Sequence, residues 1–507
     1  MSYAKTISVG LIGVAGHIVE VEADLANGLP TLALTGLPDT ALNEARDRVR
    51  AAVANSGEVW PNRRMTINLL PAAVPKQGSS FDVAIAAAVL ASAGELPPAG
   101  LAGVVLLGEL GLDGSVRAVR GVLPMVHAAS QAGLRRVVVP VDNAYEASLV
   151  PGLVVRAADT LRRLIDFLRG SGALLPPRCP PVPEEAPGPD LSDVVGQELG
   201  RRALELAAAG GHHLVLIGPP GAGKTMLAQR LPSILPALDD DQAIEVTALH
   251  SIAGVLRPGG GLVRRPPFQA PHHTATMPAL VGGGSGWARP GALSLAHHGV
   301  LFLDEVPEYA PRVLEALRQP LEDGYVRLAR TRGHTDYPAR VQLVLAANPC
   351  PCAKPGGDNE CECAPLVRRR YLGRLSGPLL DRIDLQVRLH PVTASDLLQD
   401  PAVAEPEPSA LVAERVAKAR ALAAARWAGE AWRVNAHAPG AFLRSRYRLP
   451  RAVTEPLRRP LETGSLSARG YIRVLRLAWT IADLDGRERP DGTDVCEALG
   501  MRSGTPL

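Results

Sequence analysis

Apolar residues form two kinds of run in the first third of this chain. Short runs such as Val104–Leu107 and Arg136–Val139 have the length and branched side chains of strands. Longer Ala-rich runs, such as Thr40–Ala54 and Phe81–Ala93, have the length of helices. The pattern predicts a mixed α/β or α+β domain over residues 1–170.

Two proline-containing breaks separate this region from the rest. The segment Ser171–Asp190 has seven prolines in 20 residues and cannot form a regular helix or strand. Strand-like and helix-like runs then alternate, as they do around a parallel sheet, and a second break at Gln399–Ser409 precedes a helical region. The predicted division is a domain at 1–170, a linker at 171–190, a parallel-sheet domain at 191–395 and a helical domain at 396–507.

One glycine-rich loop carries the clearest chemistry in the sequence. The apolar run Leu214–Ile217 leads directly into GPPGAGKT, and a helical run, Met226–Leu231, follows. A strand, a glycine loop and a helix in this order bind phosphate, because backbone N–H groups and the helix N-terminus face the anion. We expect Lys224 to reach the β- and γ-phosphates of ATP and Thr225 to hold Mg²⁺. The predicted nucleotide-binding residues are Gly218, Pro219, Pro220, Gly221, Ala222, Gly223, Lys224 and Thr225.

Two later strands end in polar residues. The run from Gly299 precedes Asp304 and Glu305, and the run Val341–Ala347 precedes Asn348. Ligands of open parallel sheets bind at the carboxyl ends of the strands, so these residues are expected beside the glycine loop. Asp304 suits the outer ligand shell of Mg²⁺, Glu305 the polarisation of the attacking water, and Asn348 a hydrogen bond to that water or to the γ-phosphate. The sequence therefore predicts ATP hydrolysis.

Longer motifs surround these residues. They are Pro271-His-His-Thr-Ala-Thr, Leu280-Val-Gly-Gly-Gly, Leu295-Ala-His-His-Gly, Asn348-Pro-Cys-Pro-Cys and Leu375-Ser-Gly-Pro-Leu-Leu-Asp-Arg-Ile-Asp. With Lys224 as Walker A, Asp304 and Glu305 as Walker B and Asn348 as the first sensor, the chain resembles the ComM/YifB family of magnesium-chelatase-like AAA+ ATPases over essentially its whole length. The resemblance implies a multidomain α/β fold: a Lon-protease-like α+β N-terminal domain, an AAA+ parallel-sheet core and a helical C-terminal lid domain.

The resemblance also implies catalytic arginines. Arg382 occupies the position of an arginine that acts on the γ-phosphate of a neighbouring subunit, which implies a homo-oligomeric ring, a hexamer. Arg469 best matches the second sensor arginine, and Arg473, one helical turn away, is the alternative. A solvated or salt-bridging arginine is the simpler interpretation of each.

Two basic regions indicate contact with DNA. The segment Gly324–Pro338 lies where the family has a hairpin that points into the ring's pore, and its Arg330 and Arg332 suit a DNA phosphate. A plain solvent-exposed hairpin is the alternative. Residues 411–507 contain 17 Lys+Arg against 10 Asp+Glu, but the chain has only five lysines, so this excess equally fits a bias of composition toward arginine.

The N-terminal region resembles the Lon protease domain without its catalytic pair. Ser80, in the segment that begins at Lys76, falls at the position of the nucleophile, whereas Leu123 falls at the position of the partner lysine. A serine hydroxyl needs an adjacent base to attack at neutral pH. We therefore expect a non-proteolytic scaffold for ring assembly or DNA binding.

Four of the six cysteines lie close together in two C-x-C pairs. Cys350, Cys352, Cys361 and Cys363 suit tetrahedral Zn²⁺, and free thiols that pack a loop are the alternative. Three pairs of adjacent histidines lack metal-ligand spacing and are interpreted as structural or DNA-facing residues. They are His212-His213, His272-His273 and His297-His298.

The cellular location is inferred from what the sequence lacks. The longest apolar stretch, Val83–Gly94, is shorter than the roughly 20 residues of a membrane span. The start of the chain shows no signal-peptide pattern. Six cysteines in 507 residues do not form a disulfide scaffold. We expect a cytoplasmic protein.

The resemblance favours an ATP-driven DNA helicase that promotes branch migration of recombination intermediates during natural transformation. A magnesium-chelatase motor subunit is one alternative, but it needs separate partner subunits, and the Lon-like region and the cysteine cluster are not features of that subunit. A protein-remodelling chaperone is the other, and we find no aromatic-hydrophobic pore loop for it in the sequence.

Overall fold

The computed structural model describes most of the chain. It leaves out residues 1, 37–38, 73, 75, 77, 180–187, 258, 285–287, 331–332, 355–359, 394–405 and 504–507, and the side chains of residues 39–43. The contacts divide into a first unit, Met1–Glu184 with Ala243–Val263, and a second unit, Glu185–Gln242 with Arg264–Leu507.

The division into two units differs from the predicted domain bounds at residues 243–263. Ala248 is buried in a core of the first unit, and the Ser251 hydroxyl donates a hydrogen bond to Glu146 of that unit. Thr247 Oγ1 in turn accepts from the Val263 N–H at 2.9 Å, which closes the segment on itself. The predicted break at 399–409 begins among residues that the structure leaves out, and the four-part division stays a prediction.

The first unit is built on a mixed sheet. Its strands are β1 (Tyr3–Ile12), β2 (Ala15–Ala26), β3 (Thr31–Thr35), β4 (Arg64–Leu70), β5 (Val104–Leu106), β6 (Glu109–Leu110), β7 (Val116–Arg117), β8 (Arg136–Pro140) and β9 (Val154–Ala158). In the described part of the chain the main sheet has the order β3–β4–β2–β1–β5–β8–β9, and β6 pairs with β7. The pairs β1–β2 and β2–β4 are antiparallel, whereas the other neighbours in the main sheet are parallel.

Helices cover both faces of this sheet. They are Asp39–Asn55, Asp82–Ser92, Pro98–Leu101, Val122–Gln131, Val141–Ser148 and Leu161–Leu168. Alternate residues of β2 from Val19 to Leu25 are buried on the face that packs against the first two helices and the last. The helix Asp82–Ser92 is buried at every residue, as its almost wholly apolar sequence requires. The strands and helices predicted for this region are confirmed to within two residues at each end.

The second unit contains a parallel sheet. The strands of this unit are β10 (Leu214–Ile217), β11 (Phe268–Gln269), β12 (Gly282–Gly283), β13 (Arg289–Pro290), β14 (Val300–Leu303), β15 (Tyr325–Arg330), β16 (Gly333–Pro338), β17 (Gln342–Ala347) and β18 (Leu385–Arg388), and five of them form the parallel sheet. Among the described residues, the sheet order is β11–β14–β17–β10–β18, every pair parallel. Every residue of β14 and β17 is buried, as expected of a sheet with both faces covered.

The helices of this unit flank the sheet and form its C-terminal part. They are Glu198–Gly210, Lys224–Ile234, Met277–Val281, Ala292–Leu295, Pro311–Glu315, Arg318–Asp323, Pro365–Leu372, Gly377–Leu380, Ser409–Arg426, Gly440–Arg444, Arg451–Thr454, Arg458–Glu462, Ala468–Leu484 and Gly492–Ser503. One more helix, Asp240–Ala253, begins with residues of the second unit and continues from Ala243 with residues of the first. One hydrophobic core runs from Leu227 and Leu231, after the glycine loop, to Val416, Trp427 and Trp479 in the C-terminal helices. The predicted parallel-sheet core and helical C-terminal part are therefore confirmed. None of the helices that the structure describes has the length and apolar character needed to cross a membrane.

Candidate nucleotide site

The polar residues that follow three neighbouring strands meet at one edge of the parallel sheet. Ile217 of β10 lies opposite Ala347 of β17, and Leu303 of β14 lies opposite Leu345. The chain therefore leaves all three strands on the same side. The Gly218 N–H donates to the Ala347 carbonyl at 3.1 Å and fixes the start of the glycine loop beside Asn348.

The glycine loop has a backbone shape that requires glycine. Gly221 and Gly223 have φ angles of 79° and 80°, a left-handed conformation that residues with a Cβ atom rarely adopt. Gly223 ends the loop, and the helix Lys224–Ile234 begins at the next residue. The free N–H groups of that helix start therefore face the loop, where an anionic phosphate is favoured.

Lys224 joins the loop to the neighbouring strand. Its ammonium group donates to the carbonyls of Gly218 and Pro219 at 2.7 and 2.8 Å, and to Asn348 Oδ1 at 3.0 Å. All three donors of the ammonium are thus matched by acceptors. Burial lowers the pKa of Lys224, and the nearby carboxylates of Asp304 and Glu305 oppose that shift.

Thr225 and Asp304 form the second link across this edge. Thr225 Oγ1 donates to Asp304 Oδ2 at 2.7 Å, and Asp304 Oδ1 accepts from the Glu305 N–H at 2.9 Å. A hydroxyl and a carboxylate held side by side are oxygen ligands of the kind Mg²⁺ takes together with water and phosphate oxygens. The donor set therefore fits Mg²⁺ with ATP, and the structure brings together Lys224, Thr225, Asp304 and Asn348.

Glu305 occupies a constrained position beside this group. Its φ angle of 49° is left-handed, and its side chain is half exposed. His273 Nδ1 lies 3.1 Å from Glu305 Oε2. His273 was not predicted at the nucleotide site; its pair with His272 was expected to be structural or DNA-facing. No motif in the sequence indicates this contact.

The arginines implied by the family resemblance line a different pocket of the second unit. This pocket has a volume of about 370 Å³ and contains Arg382, Arg444, Arg469, Arg473 and Arg476 together with Glu322 and Asp381. Five guanidinium groups face two lining carboxylates, and Asp384 outside the lining pairs with Arg473, so the pocket remains cationic. Its chemistry suits an anion such as a phosphate group.

Arg382 and Arg469 differ in how they are held within this pocket. Arg382 donates to the Pro378 carbonyl at 2.6 Å and pairs with Glu322. Its side chain is largely buried. The Arg469 side chain is 71% exposed and lies 4.0 Å from Asp381. Arg469 is therefore free to turn toward a ligand.

Arg473, the alternative to Arg469, is held in place by a buried carboxylate. It pairs with Asp384, which also accepts from the His213 N–H at 3.2 Å. Burial alone would raise the pKa of Asp384, but the Arg473 charge and the adjacent His212 hold it well below its usual range. Asp384 thus remains ionised and anchors the end of the Asp-Arg-Ile-Asp segment. Arg469 stays the predicted second sensor, with Arg473 as the alternative.

The segment Gly324–Pro338 forms the predicted hairpin. Strands β15 and β16 pair antiparallel from Tyr325 opposite Pro338 to Arg330 opposite Gly333. Arg330 is exposed at the end of β15, next to the tip. Arg332 lies outside the described residues.

The four cysteines lie close together. The Sγ atom of Cys350 is 3.0 Å from that of Cys352 and 3.3 Å from that of Cys361, and all four Sγ atoms lie within 4.8 Å of one another. Sulfur atoms around tetrahedral zinc are separated by about 3.8 Å, given Zn–S bonds of about 2.3 Å. A hydrogen bond from Cys350 and one from the Lys354 backbone lower the pKa of Cys352 to about 7, which favours a thiolate, whereas burial raises the pKa of Cys350 to about 12. The cluster therefore fits zinc.

The residues at the Lon-like positions do not form a catalytic pair. Leu123 is fully buried in an apolar core, in the helix Val122–Gln131. Lys76 is also buried, and its ammonium group donates to the Pro71 carbonyl. Ser80 is buried as well, with 6% exposure.

Two members of the histidine pairs hold backbone in place. His213 Nδ1 accepts from the Leu343 N–H and His297 Nδ1 from the Arg340 N–H, both at 3.0 Å. A nitrogen that accepts from an amide is unprotonated. Burial lowers the pKa of His213 to about 4, which keeps the ring neutral.

Comparison with known proteins identifies the family. Three family models match the chain. The model described as magnesium chelatase, subunit ChlI, matches residues 190–397, and the one described as subunit ChlI of Mg-chelatase matches residues 21–143. The model of the C-terminal part of magnesium chelatase subunit ChlI matches residues 406–502. The chain is 41% identical to the competence protein ComM of Haemophilus influenzae over 509 residues, which covers 99% of this chain and 98% of that protein. The chain belongs to the ComM/YifB family of magnesium-chelatase-like AAA+ ATPases.

Two further relatives extend this assignment. An uncharacterized protein of Mycobacterium tuberculosis is 54% identical over 504 residues, 99% of each chain. Lon protease 2 of Bacillus subtilis is 32% identical over 159 residues, 29% of this chain and 28% of that protein. The multidomain fold predicted from the sequence, with a Lon-like region and an AAA+ core, is confirmed.

Proposed function

We propose that this protein is an ATP-driven DNA motor that works in the cytoplasm as a homo-oligomeric ring, a hexamer, and promotes branch migration of recombination intermediates during natural transformation. The observation that carries the proposal is the pair of links across the sheet edge, Lys224 to Asn348 and Thr225 to Asp304. Similarity over 99% of the chain to a relative named as a competence protein supports the biological role.

The residues at the sheet edge have separate tasks in ATP hydrolysis. Bound Mg²⁺ supplies charge neutralisation on the phosphate oxygens. Lys224 moves from the loop carbonyls to the β- and γ-phosphates, and Asn348, already within reach of its ammonium, hydrogen-bonds the γ-phosphate or the attacking water. Glu305 takes the proton of that water. Thr225 and Asp304 keep their oxygens toward the metal.

Arg382 and Arg469 complete the site of the adjacent subunit in this proposal. Both line a cationic pocket that lies apart from the contacts of Lys224, as arginines that act on a neighbour's nucleotide require. Arg469 is exposed enough to reach out, whereas Arg382 must leave Glu322. A ring follows, because every site then needs a second copy of the chain.

The DNA contact is assigned to the hairpin formed by β15 and β16. Phosphate contacts carry no sequence information, so binding is expected to be indifferent to sequence and to weaken steeply as salt rises. Arg330, exposed at the end of β15, supplies charge near the tip, and Arg332 follows it by two positions in the sequence. Arg327, on the same strand and 65% exposed, lies 4.0 Å from Asp336 and serves as a matched control.

The experiment measures ATP hydrolysis without DNA and with duplex, single-stranded and four-way-junction DNA. We expect the junction to stimulate most, and Arg330→Ala with Arg332→Ala to abolish stimulation while basal hydrolysis persists. Arg327→Ala keeps the stimulation. Hydrolysis that ignores every DNA would contradict the DNA-motor role. The matches to magnesium chelatase models then make a chelatase-type motor subunit the next candidate, and a protein-remodelling chaperone the one after it.

The cysteine cluster is proposed to bind one structural Zn²⁺. Three side-chain thiol contacts of 3.0–3.6 Å join Cys350, Cys352 and Cys361, and Cys363 completes the four ligands. Elemental analysis should find about one Zn²⁺ per chain, and Cys350→Ser with Cys352→Ser should remove it. Replacing the two exposed cysteines outside the cluster, Cys179 and Cys496, by serine is the control and keeps the metal. Metal-free protein in which all four cysteines of the cluster titrate as thiols would contradict the zinc site.

A further inference from the structure

The first unit has a cleft that none of the predicted site residues lines. It lies where β3 and β4 begin, since these strands pair in parallel from Thr31 opposite Arg64, and Pro30 and Arg63 stand just before the paired residues. The helix Asp39–Asn55 connects the two strands and brings further side chains to the same place. The cleft has a volume of about 90 Å³, and its lining includes Arg46, Arg50, Trp60, Asn62 and Arg63.

The three arginines of this cleft have few partners for their charge. Arg46 and Arg50 lie one turn apart on the helix, and both are exposed, as is Arg63. In the described part of the chain the side chains of Arg50 and Arg63 form no ion pair, and Arg46 pairs through Nε with Asp47 Oδ1 at 3.0 Å. None of the described residues that line the cleft is acidic. Like charges one helical turn apart repel each other, and a bound anion would relieve that repulsion.

An aromatic ring lies beside these charges. The Trp60 side chain is half-buried, because it packs against a core of the first unit and also lines the cleft. Val49, on the helix that carries Arg46 and Arg50, and Met65, on β4, are buried in the same core with 1% exposure each. The ring and the arginines are therefore attached to one packed framework, which lowers the cost of ordering them around a ligand.

Arginines beside an aromatic ring suit single-stranded nucleic acid. Guanidinium groups bind the phosphate backbone, and an aromatic side chain offers a surface on which an unpaired base stacks. Duplex DNA carries the same phosphates, but its bases are already paired and stacked, so it would leave Trp60 unused. A peptide of acidic residues would pair with the arginines and leave the ring unused as well.

We propose that this cleft binds single-stranded DNA, with a backbone phosphate held by Arg46, Arg50 and Arg63 and an adjacent base stacked on Trp60. The inference rests on the proposed function, which makes DNA the substrate, and adds a contact in the first unit to the one assigned to the hairpin of β15 and β16. Binding at the cleft requires no ATP, so it can be measured apart from hydrolysis.

The test measures the affinity of the full-length protein for a fluorescently labelled single strand over a range of salt concentrations, without nucleotide. Arg50→Ala with Arg63→Ala should weaken binding and reduce the slope of log affinity against log salt by about 0.7, the value for one phosphate of a single strand. Arg64→Ala with Arg163→Ala is the matched control, because it removes the same charge from exposed arginines that do not line the cleft, and it keeps the slope. Each pair is also made with Arg330→Ala and Arg332→Ala, so that the hairpin does not mask the cleft.

Replacement of Trp60 separates stacking from charge. Trp60→Leu should weaken the binding of single strands by about 5- to 150-fold, the value of one stacked base, and should leave both the salt slope and the affinity for duplex unchanged. Trp60→Phe keeps an aromatic ring and should retain most of the affinity. If Trp60→Leu lowers the melting temperature, tryptophan fluorescence replaces it as the readout: a single strand should quench the unaltered protein more than Trp60→Phe.

Three results would overturn the inference. One is a salt slope that Arg50→Ala with Arg63→Ala leaves unchanged, or that the control pair reduces equally. Another is a Trp60→Leu variant, or fluorescence quenching, that does not differ from the unaltered protein. The third is displacement of the labelled strand by a polyglutamate peptide as readily as by an unlabelled single strand, which would indicate a general anion site.

The same measurements distinguish failure of this inference from failure of the proposed function. A protein whose ATP hydrolysis responds to DNA, but whose Arg50→Ala, Arg63→Ala variant binds single strands normally, contradicts only the role of the cleft. An unaltered protein that binds no DNA contradicts the proposed function, and the role of the cleft with it.

Discussion

Among the described residues each unit buries one lysine, and the two lysines have different surroundings. Lys224 of the second unit is held by acceptors from two strand ends, including the Asn348 side chain. Lys76 of the first unit donates to the carbonyl of Pro71, five residues earlier in the same segment. Burial lowers the pKa of both. A buried ammonium group is therefore not by itself a sign of chemistry, and what distinguishes Lys224 is the convergence of other polar side chains.

The two units also differ in the residues found at their predicted catalytic positions. In the second unit Asp304, Glu305 and Asn348 follow neighbouring parallel strands, and Thr225 reaches Asp304. In the first unit the position of the catalytic lysine holds the fully buried Leu123, so Ser80 has an apolar residue where a base is required. The second unit gathers polar side chains at its strand ends, whereas the first unit has Leu123 at the position where a base is expected.

The largest effect is expected at Glu305. Glu305→Gln should bind ATP normally but lower kcat by about 10²- to 10⁴-fold, because the amide cannot take the proton of the attacking water. Phosphate release and equilibrium binding of a labelled nucleotide measure the two steps separately.

A neighbouring carboxylate supplies the control for this prediction. Glu308 lies three residues later, 3.4 Å from Arg374, and Glu308→Gln should leave turnover intact. Normal hydrolysis by Glu305→Gln would remove the base from the reaction centre and with it the contrast between the units.

A loss of hydrolysis that a second kind of subunit can partly relieve is expected from Arg382. Arg382→Ala subunits should bind ATP but fail to hydrolyse it, and mixing them with inactive Lys224→Ala subunits should restore part of the activity. Mixed rings contain interfaces in which an intact loop meets an intact arginine. Hydrolysis by mixtures of defined ratio measures the recovery, and the absence of any recovery in rings shown to be mixed would place Arg382 outside the neighbour's site.

The smallest effect is expected at Ser80. Ser80→Ala should leave ATP hydrolysis unchanged, and neither the variant nor the unaltered protein should cleave a fluorescent peptide, since Leu123 supplies no base. Peptide cleavage that disappears in Ser80→Ala would show that the first unit has a reaction centre after all.

The local elements of this protein could be predicted from its sequence. Leu214–Ile217 forms the strand that the apolar run predicts, and the glycine loop and helix follow it, because a loop fixed by consecutive residues is encoded locally. The hairpin around Arg330 was predicted from the family resemblance and is present as strands β15 and β16.

The parts that sequence reasoning missed depend on contacts between distant segments. The contact between His273 and Glu305 joins residues that are 32 positions apart in the sequence, and no motif shows it. The position of residues 243–263 in the first unit depends on Ala248 and Ser251 finding partners there. The five-arginine pocket likewise joins the Asp-Arg-Ile-Asp segment to residues from two C-terminal helices.

The most direct test of the central claim is movement of a labelled four-way junction in the presence of ATP. The unaltered protein should convert the junction to migrated product at a rate that depends on ATP. Lys224→Ala, which lacks the ammonium group for the phosphates, should bind the junction but move none of it. An unaltered protein that hydrolyses ATP and leaves the junction intact, or a Lys224→Ala variant that moves it, would contradict an ATP-driven DNA motor.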